Sequence, residues 1–264
     1  NNSQLIANSP PNMRSNNNHP FRKKWGQNFL RDDNIINKII ACLQVEISDT
    51  VLEIGPGEGA LTYPLSKEVK GVHAVEIDPL LVEKLLQEKK QNVTLHQSDF
   101  LDWDLNQLPS DYKVIGNLPY YISSPILFKL LQDFNWSRMV LMFQKEMAQR
   151  IISPHGKKSY GRLSVMSQVY CNVKPEFTVS KHVFVPKPEI DSAVVSFTPR
   201  KYTPIDISQF SEFIKLAFSQ RRKLLKNNLA SLQVENKLEN FAQLRPEEIT
   251  PAEFIELYSR IYIG

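Results

Sequence analysis

The chain has 264 residues, of which 42% are hydrophobic and 10% aromatic, enough for one large core and a second small one, which excludes disorder for most of it. No apolar run reaches the roughly 18 residues of a membrane-spanning helix, and the amino-terminal stretch lacks the apolar segment of a secretion signal, so a soluble cytoplasmic protein is expected. The net charge of +4 is small but unevenly spread, and the two cysteines, Cys42 and Cys171, lack CxxC or HxxxH companions, which points to reduced thiols and no metal site.

Between Asn1 and Arg31 stand five basic residues, Arg14, Arg22, Lys23, Lys24 and Arg31, and no acid. Residues 1–20 are rich in Asn, Ser and Pro and cannot bury enough apolar surface to offset their ordering entropy, so they read as a disordered arm leading into a basic anchor. From Val51 onward short β-rich runs alternate with helical patterns. Residues 51–54 precede a Gly-rich loop and a helix over 60–67. A strand over 71–77 leads into a helix over 79–89, and 93–97, 113–115 and 139–143 add strands. This alternation predicts a parallel sheet covered by helices, an α/β fold whose ligands bind at the carboxyl ends of the strands. Beyond Thr203 the pattern is helical only, over 207–219, 222–230 and 251–262. The expected division is therefore a catalytic domain over 21–200 and a small all-helical domain over 201–264.

The strand ends carry the chemistry. Gly55-Pro56-Gly57-Glu58-Gly59-Ala60 follows the first strand, and its glycines permit a tight turn that lets a ligand approach backbone N–H groups at a helix start. Twenty-one residues past Gly55 stands Glu76, followed by Ile77, at the end of the next strand, where a carboxylate can accept two ribose hydroxyls. Together they point to an adenosine-containing cofactor. The third strand ends at Asp99-Phe100, an acid able to accept an adenine amino hydrogen and an aromatic able to cover the ring, although Asp99 also suits a helix N-cap.

The fourth strand ends in Gly116-Asn117-Leu118-Pro119-Tyr120-Tyr121-Ile122-Ser123. An exocyclic base amine is a poor nucleophile because its lone pair is delocalised into the ring. A site that alkylates it must hold the amino hydrogens with acceptors that favour a pyramidal nitrogen. The Asn117 side-chain amide and the Leu118 carbonyl are such acceptors, with Pro119 fixing φ so that the carbonyl is presented. Tyr120 offers a face on which an extruded base can stack.

Two basic regions suit a polyanionic partner: the loop of residues 153–162, with Lys157, Lys158 and Arg162, and the cluster Arg221-Arg222-Lys223. Phe184, in Phe-x-Pro-x-Pro, sits on a segment held extended by its prolines and can present one aromatic over a pocket or simply pack.

In this order, Lys24-Trp25-Gly26-Gln27-Asn28-Phe29-Leu30, the loop of residues 53–59, the segment 117–123, Tyr160-Gly161-Arg162-Leu163-Ser164-Val165, the segment 184–193 and the segment 217–223 resemble the ribosomal RNA adenine N6,N6-dimethyltransferase family over nearly all of residues 22–264. The resemblance implies a Rossmann-like methyltransferase sheet that uses S-adenosylmethionine held by Asn28, Leu30, Gly55, Glu76, Asp99 and Asn117. It also implies that Phe184 covers the target adenine. The substrate it implies is two adjacent adenosines in the 3′-terminal hairpin loop of 16S rRNA, within the small ribosomal subunit or its precursor, with a monomer expected. Trp25, where phenylalanine is more usual, and Tyr121, where asparagine is also common, are departures that remove no acceptor. A DNA adenine methyltransferase, a non-catalytic ribosome-assembly factor and a nicotinamide-dependent dehydrogenase are the rival readings. The last explains neither Asn117 nor the basic clusters.

Overall fold

The structure is a computed structural model that describes residues 27–88, 90–133, 135–200 and 206–264. The basic arm, with Lys23 and Lys24, lies outside the described residues.

In chain order the elements are β1 (Phe29–Leu30), α1 (Asp33–Leu43), β2 (Thr50–Ile54), α2 (Thr62–Leu65), β3 (Gly71–Glu76), α3 (Pro79–Gln87), β4 (Val93–Gln97), β5 (Tyr112–Asn117), α4 (Ser123–Gln132), β6 (Trp136–Gln144), α5 (Lys145–Ile152), α6 (Arg162–Tyr170), β7 (Cys171–Val179), β8 (Phe184–Val185) and β9 (Ser192–Pro199). Four further helices follow: α7 (Ile207–Ala217), α8 (Leu225–Asn228), α9 (Glu235–Leu238) and α10 (Pro251–Tyr262).

The main sheet runs β4-β3-β2-β5-β6-β9-β7. Its first five strands are mutually parallel, and β9 lies antiparallel between β6 and β7. The chain moves outward in one direction from β2 to β3 and in the other to β5, so the crevice at the carboxyl ends of β2 and β5 is the natural ligand site of such a sheet.

The sheet separates two cores by strict side-chain alternation. On β6, Met139, Leu141 and Phe143 face one cluster while Val140 and Met142 face the other. Burial on both faces is why these strands read in sequence as nearly continuous apolar runs. The first cluster also takes in Phe210, Phe213, Phe254 and Tyr258, so the carboxy-terminal helices share one core with the sheet.

Some predicted elements are shorter than expected. The helix over 60–67 is the single turn Thr62–Leu65, because Gly59 and Pro64 leave few residues free to continue the ladder. The helix over 222–230 shrinks to Leu225–Asn228, since Leu224 is extended at φ −66°, ψ 152°. The two-residue strands β1 and β8 pair as an antiparallel ribbon, Leu30 opposite Phe184. No helix among the described residues is long and apolar enough to cross a membrane.

Candidate active site

The turn after β2 is built around glycines in the left-handed region, where a side chain is strained. Gly57 has φ +59°, and a Cβ there would meet the Phe29 ring at 3.1 Å; Gly59 has φ +87°, and its Cβ would lie 2.3 Å from the Tyr63 ring. The turn is fastened to β3 by Glu76, whose Oε2 accepts the Gly57 N–H at 3.1 Å and whose Oε1 accepts the Asp78 N–H at 3.0 Å. Burial pushes the Glu76 carboxyl up, and these N–H groups hold it down. A carboxylate has about four acceptor sites, so it keeps capacity for a ligand beyond these N–H groups. Glu53, inside the same end of β2, is 1% exposed, and burial above all pushes its carboxyl up to about 7.

At the end of β4, Asp99 Oδ1 accepts the Leu101 N–H at 2.8 Å, so Asp99 caps its own turn as well as lining the cavity. Phe100 is buried beneath the cavity, and its position is set by a residue absent from the sequence reading. Lys129 of α4 places its ammonium 5.0 Å from the Phe100 ring centre and donates to the carbonyls of Phe100 (2.7 Å), Leu101 (2.9 Å) and Trp103. Desolvation holds the Lys129 pKa below the usual lysine range.

At the end of β5 the Asn117 carboxamide is oriented by the main chain. Its Nδ2 donates to the Asn28 carbonyl at 2.9 Å, which leaves Oδ1 as the end available to a ligand. Leu118 donates its N–H to the Met142 carbonyl at 3.3 Å, and its own carbonyl accepts no hydrogen bond from the described residues. Tyr120 is held at its ring and at its main chain: its hydroxyl lies 2.9 Å from Ser192 Oγ, and its backbone carbonyl accepts the Ser123 hydroxyl at 3.0 Å.

One cavity of about 460 Å³ is lined by Asn28, Leu30, Gly55, Gly57, Glu76, Ile77, Asp99, Phe100, Asn117, Leu118, Pro119 and Tyr120, which brings together the predicted cofactor-binding residues and all the predicted catalytic ones but Phe184. Its size falls within the roughly 300–1,000 Å³ of small-molecule sites. The acidic acceptors Glu76 and Asp99, a turn bare of side chains at Gly55, Gly57 and Gly59, and the Asn117 amide oxygen fit an adenosine-bearing methyl donor beside a base amine; the N–H groups of the three glycines are taken by Val75, Glu76 and Pro56, so the turn offers close approach and not donors.

Phe184 requires a correction. The pairing of β8 with β1 turns its ring into the second core, where it is 2% exposed and does not line the cavity. The exposed aromatic at the mouth is Tyr121, 55% exposed, one residue beyond the side chain singled out for stacking. The basic residues also divide. Lys157 and Lys158 are exposed beside an open cleft, and Arg222 and Lys223 are exposed. Arg221 is exposed as well but is engaged: it donates to the carbonyls of Lys158 (2.6 Å) and Tyr160 (2.9 Å), tying the loop to the carboxy-terminal helices. Arg162 stacks 4.5 Å from the Phe128 ring centre and donates to Ser211.

Comparison with known proteins agrees with this geometry. The chain is similar to the ribosomal RNA small subunit methyltransferase A of Shewanella sp. (strain MR-7), 38% identical over 255 residues, covering 92% of this chain and 95% of that protein. The enzyme of the same name from Prosthecochloris aestuarii is 44% identical over 248 residues, covering 91% and 94%. Among solved structures, a dimethyladenosine transferase from Plasmodium falciparum superposes with a TM-score of 0.79 at 27% identity, covering 87% of this chain and 95% of that one. The 23S rRNA methyltransferase ErmE gives 0.66 at 26% identity, covering 88% and 100%. The fold is thus the Rossmann-like methyltransferase sheet, and an rRNA methyltransferase is what the chain is. With the family model for ribosomal RNA adenine dimethylase matching residues 18–261, the chain belongs to that family.

Proposed function

We propose that this protein transfers methyl groups from S-adenosylmethionine to the N6 amines of two adjacent adenosines in the 3′-terminal hairpin loop of 16S rRNA, dimethylating each. It acts as a monomer in the cytoplasm on the small subunit or its precursor. The observation that carries the reading is the Asn117 carboxamide, held by the Asn28 carbonyl with its oxygen toward a cavity that begins at Glu76 and Asp99.

When bound, the donor supplies an electrophilic methyl on a sulfonium. The chain's own groups do the rest. Glu76 accepts ribose hydroxyls through its remaining lone pairs, Asp99 accepts from the adenine amine, and the Gly55–Gly59 turn gives the backbone close access. Asn117 Oδ1 and the Leu118 carbonyl accept the two amino hydrogens of the target base, localising the nitrogen lone pair, while Tyr120 and Tyr121 supply faces for stacking. No strong general base is required, because the proton leaves to solvent after transfer; the gain comes from proximity and in-line orientation.

The test is transfer of labelled methyl to unmodified small subunits followed by nucleoside digestion. N6,N6-dimethyladenosine in the small-subunit RNA supports the reading. Label appearing only in large-subunit RNA or in a DNA oligonucleotide overturns the target.

A further inference from the structure

A second groove, of about 410 Å³, opens from the same mouth as the cavity, and Tyr120 and Tyr121 line both. Its walls are the first turn of α4 with Ser123 and Ser124, then Phe128, Arg150 of α5 and Arg162 of α6; Glu146 is the one carboxylate among them. Two guanidinium groups against one carboxylate leave the groove cationic.

The two arginines differ. Arg162 is rigid: its plane lies over Phe128, Nη2 donates to Ser211 Oγ at 2.9 Å, and Nε is buried without a hydrogen-bond partner. Arg150 is exposed, and neither an ion pair nor a side-chain hydrogen bond engages its guanidinium among the described residues. The groove also meets the amino-terminal end of α4, where Ile122 provides no capping side chain for the first-turn N–H groups.

We propose that this groove holds the backbone phosphate adjoining the nucleotide whose base enters the cavity, with Arg162 as a fixed wall and Arg150 as a movable clamp. The proposal rests on the reading of an extruded adenine at Asn117. Extrusion swings a base about its own backbone, so the neighbouring phosphates stay at the pocket rim, and the rim on this side is the shared Tyr120–Tyr121 edge. A guanidinium that is free to turn suits bidentate contact with a phosphodiester. None of the basic clusters visible in the sequence includes Arg150.

The test compares wild type, Arg150→Gln and Glu146→Gln for binding to unmodified small subunits across a salt series, with phosphate-ethylation interference mapped on the subunit RNA. Both residues are exposed, so the variants retain the fold. Arg150→Gln is expected to weaken subunit binding about tenfold and lower the slope of log affinity against log salt by about 1. Glu146→Gln is expected to strengthen binding, and calorimetric affinity for S-adenosylmethionine is expected to be unchanged in both. Wild type is expected to lose binding when the phosphate next to a target adenosine is ethylated, and Arg150→Gln to be indifferent to it. Wild-type affinity and slope in Arg150→Gln, or interference confined to distant phosphates, would overturn the proposal. Failure of the catalytic reading is separate, since it registers as no dimethyladenosine formed by the wild-type protein.

Discussion

The Asn117 carboxamide takes its orientation from a main-chain group, the Asn28 carbonyl, and this decides how much of the site sequence could reveal. Asn117, Glu76 and Asp99 were legible because side chains at the ends of successive strands project into one crevice. Asn28 acts through its backbone, which residue identity does not encode, and family resemblance alone pointed to it. Replacing Asn117 by Ala removes the acceptor that prepares the amine and is expected to lower the rate of methyl transfer about 100- to 1,000-fold while subunit binding persists; single-turnover assays beside filter binding check this. A variant that methylates normally would remove Asn117 from the chemistry. Glu53 carries a second expectation. In the unfolded chain it releases its proton near 4.5, whereas in the native protein it holds the proton until about 7. The native state therefore binds more protons in that window. Stability falls as pH rises from about 4.5 to about 7, by up to ~3 kcal/mol. Glu53→Gln, neutral at every pH, is expected to gain stability over wild type progressively across this range in denaturant titrations; parallel pH profiles would contradict it.

Among the elements, the inner parallel strands β2, β5 and β6 are legible as apolar runs buried on both faces, while β4 shows instead the alternation of a half-covered edge strand. β7 is not legible, because Lys174, Pro175 and Glu176 interrupt it at an exposed edge of the sheet. The two-residue ribbon of β1 and β8 is too short to have any periodicity, and without it sequence cannot decide between Phe184 covering the pocket and Phe184 packing in the core. The turn after β4 shows the same limit: the acid and the aromatic are readable at Asp99 and Phe100, but the lysine that holds their turn lies on α4, beyond the intervening strand β5. Lys129→Met leaves three carbonyls without their charged donor, and a loss of about 1–2 kcal/mol of stability is expected, with weaker binding of S-adenosylmethionine by calorimetry. Unchanged affinity would mean that the turn holds itself. At the β2 turn, Gly59→Ala combines a left-handed backbone with a Cβ driven into Tyr63, and soluble protein with a lowered melting temperature and impaired donor binding is the expected result.

Across the whole molecule, exposed cations and structural ties fall on adjacent residues. Arg222 and Lys223 are exposed, so Arg222→Ala with Lys223→Ala is expected to lower the salt slope of subunit binding by about 2 and leave the melting temperature unchanged. Arg221→Ala is expected to lower the melting temperature instead, since it frees the Lys158 and Tyr160 carbonyls. Equal effects in both assays would erase the distinction. The connection it serves is extensive. Tyr160 donates its hydroxyl to the Ile249 carbonyl at 2.9 Å, the Gly156 N–H reaches the Glu247 carbonyl at 2.6 Å, the Tyr160 ring meets Phe218 just past α7, and Phe210 of α7 meets both Tyr170 and Tyr258 of α10. Because the carboxy-terminal helices share the first core with the sheet, the outer basic surface stands at a set distance from the pocket, like a mark on a ruler. Under the proposed reaction, such a ruler can present only one of two neighbouring adenosines at a time. Between one nucleoside and the next it is the RNA strand that advances by a single step, and the enzyme's hold on the subunit must loosen enough to let it pass.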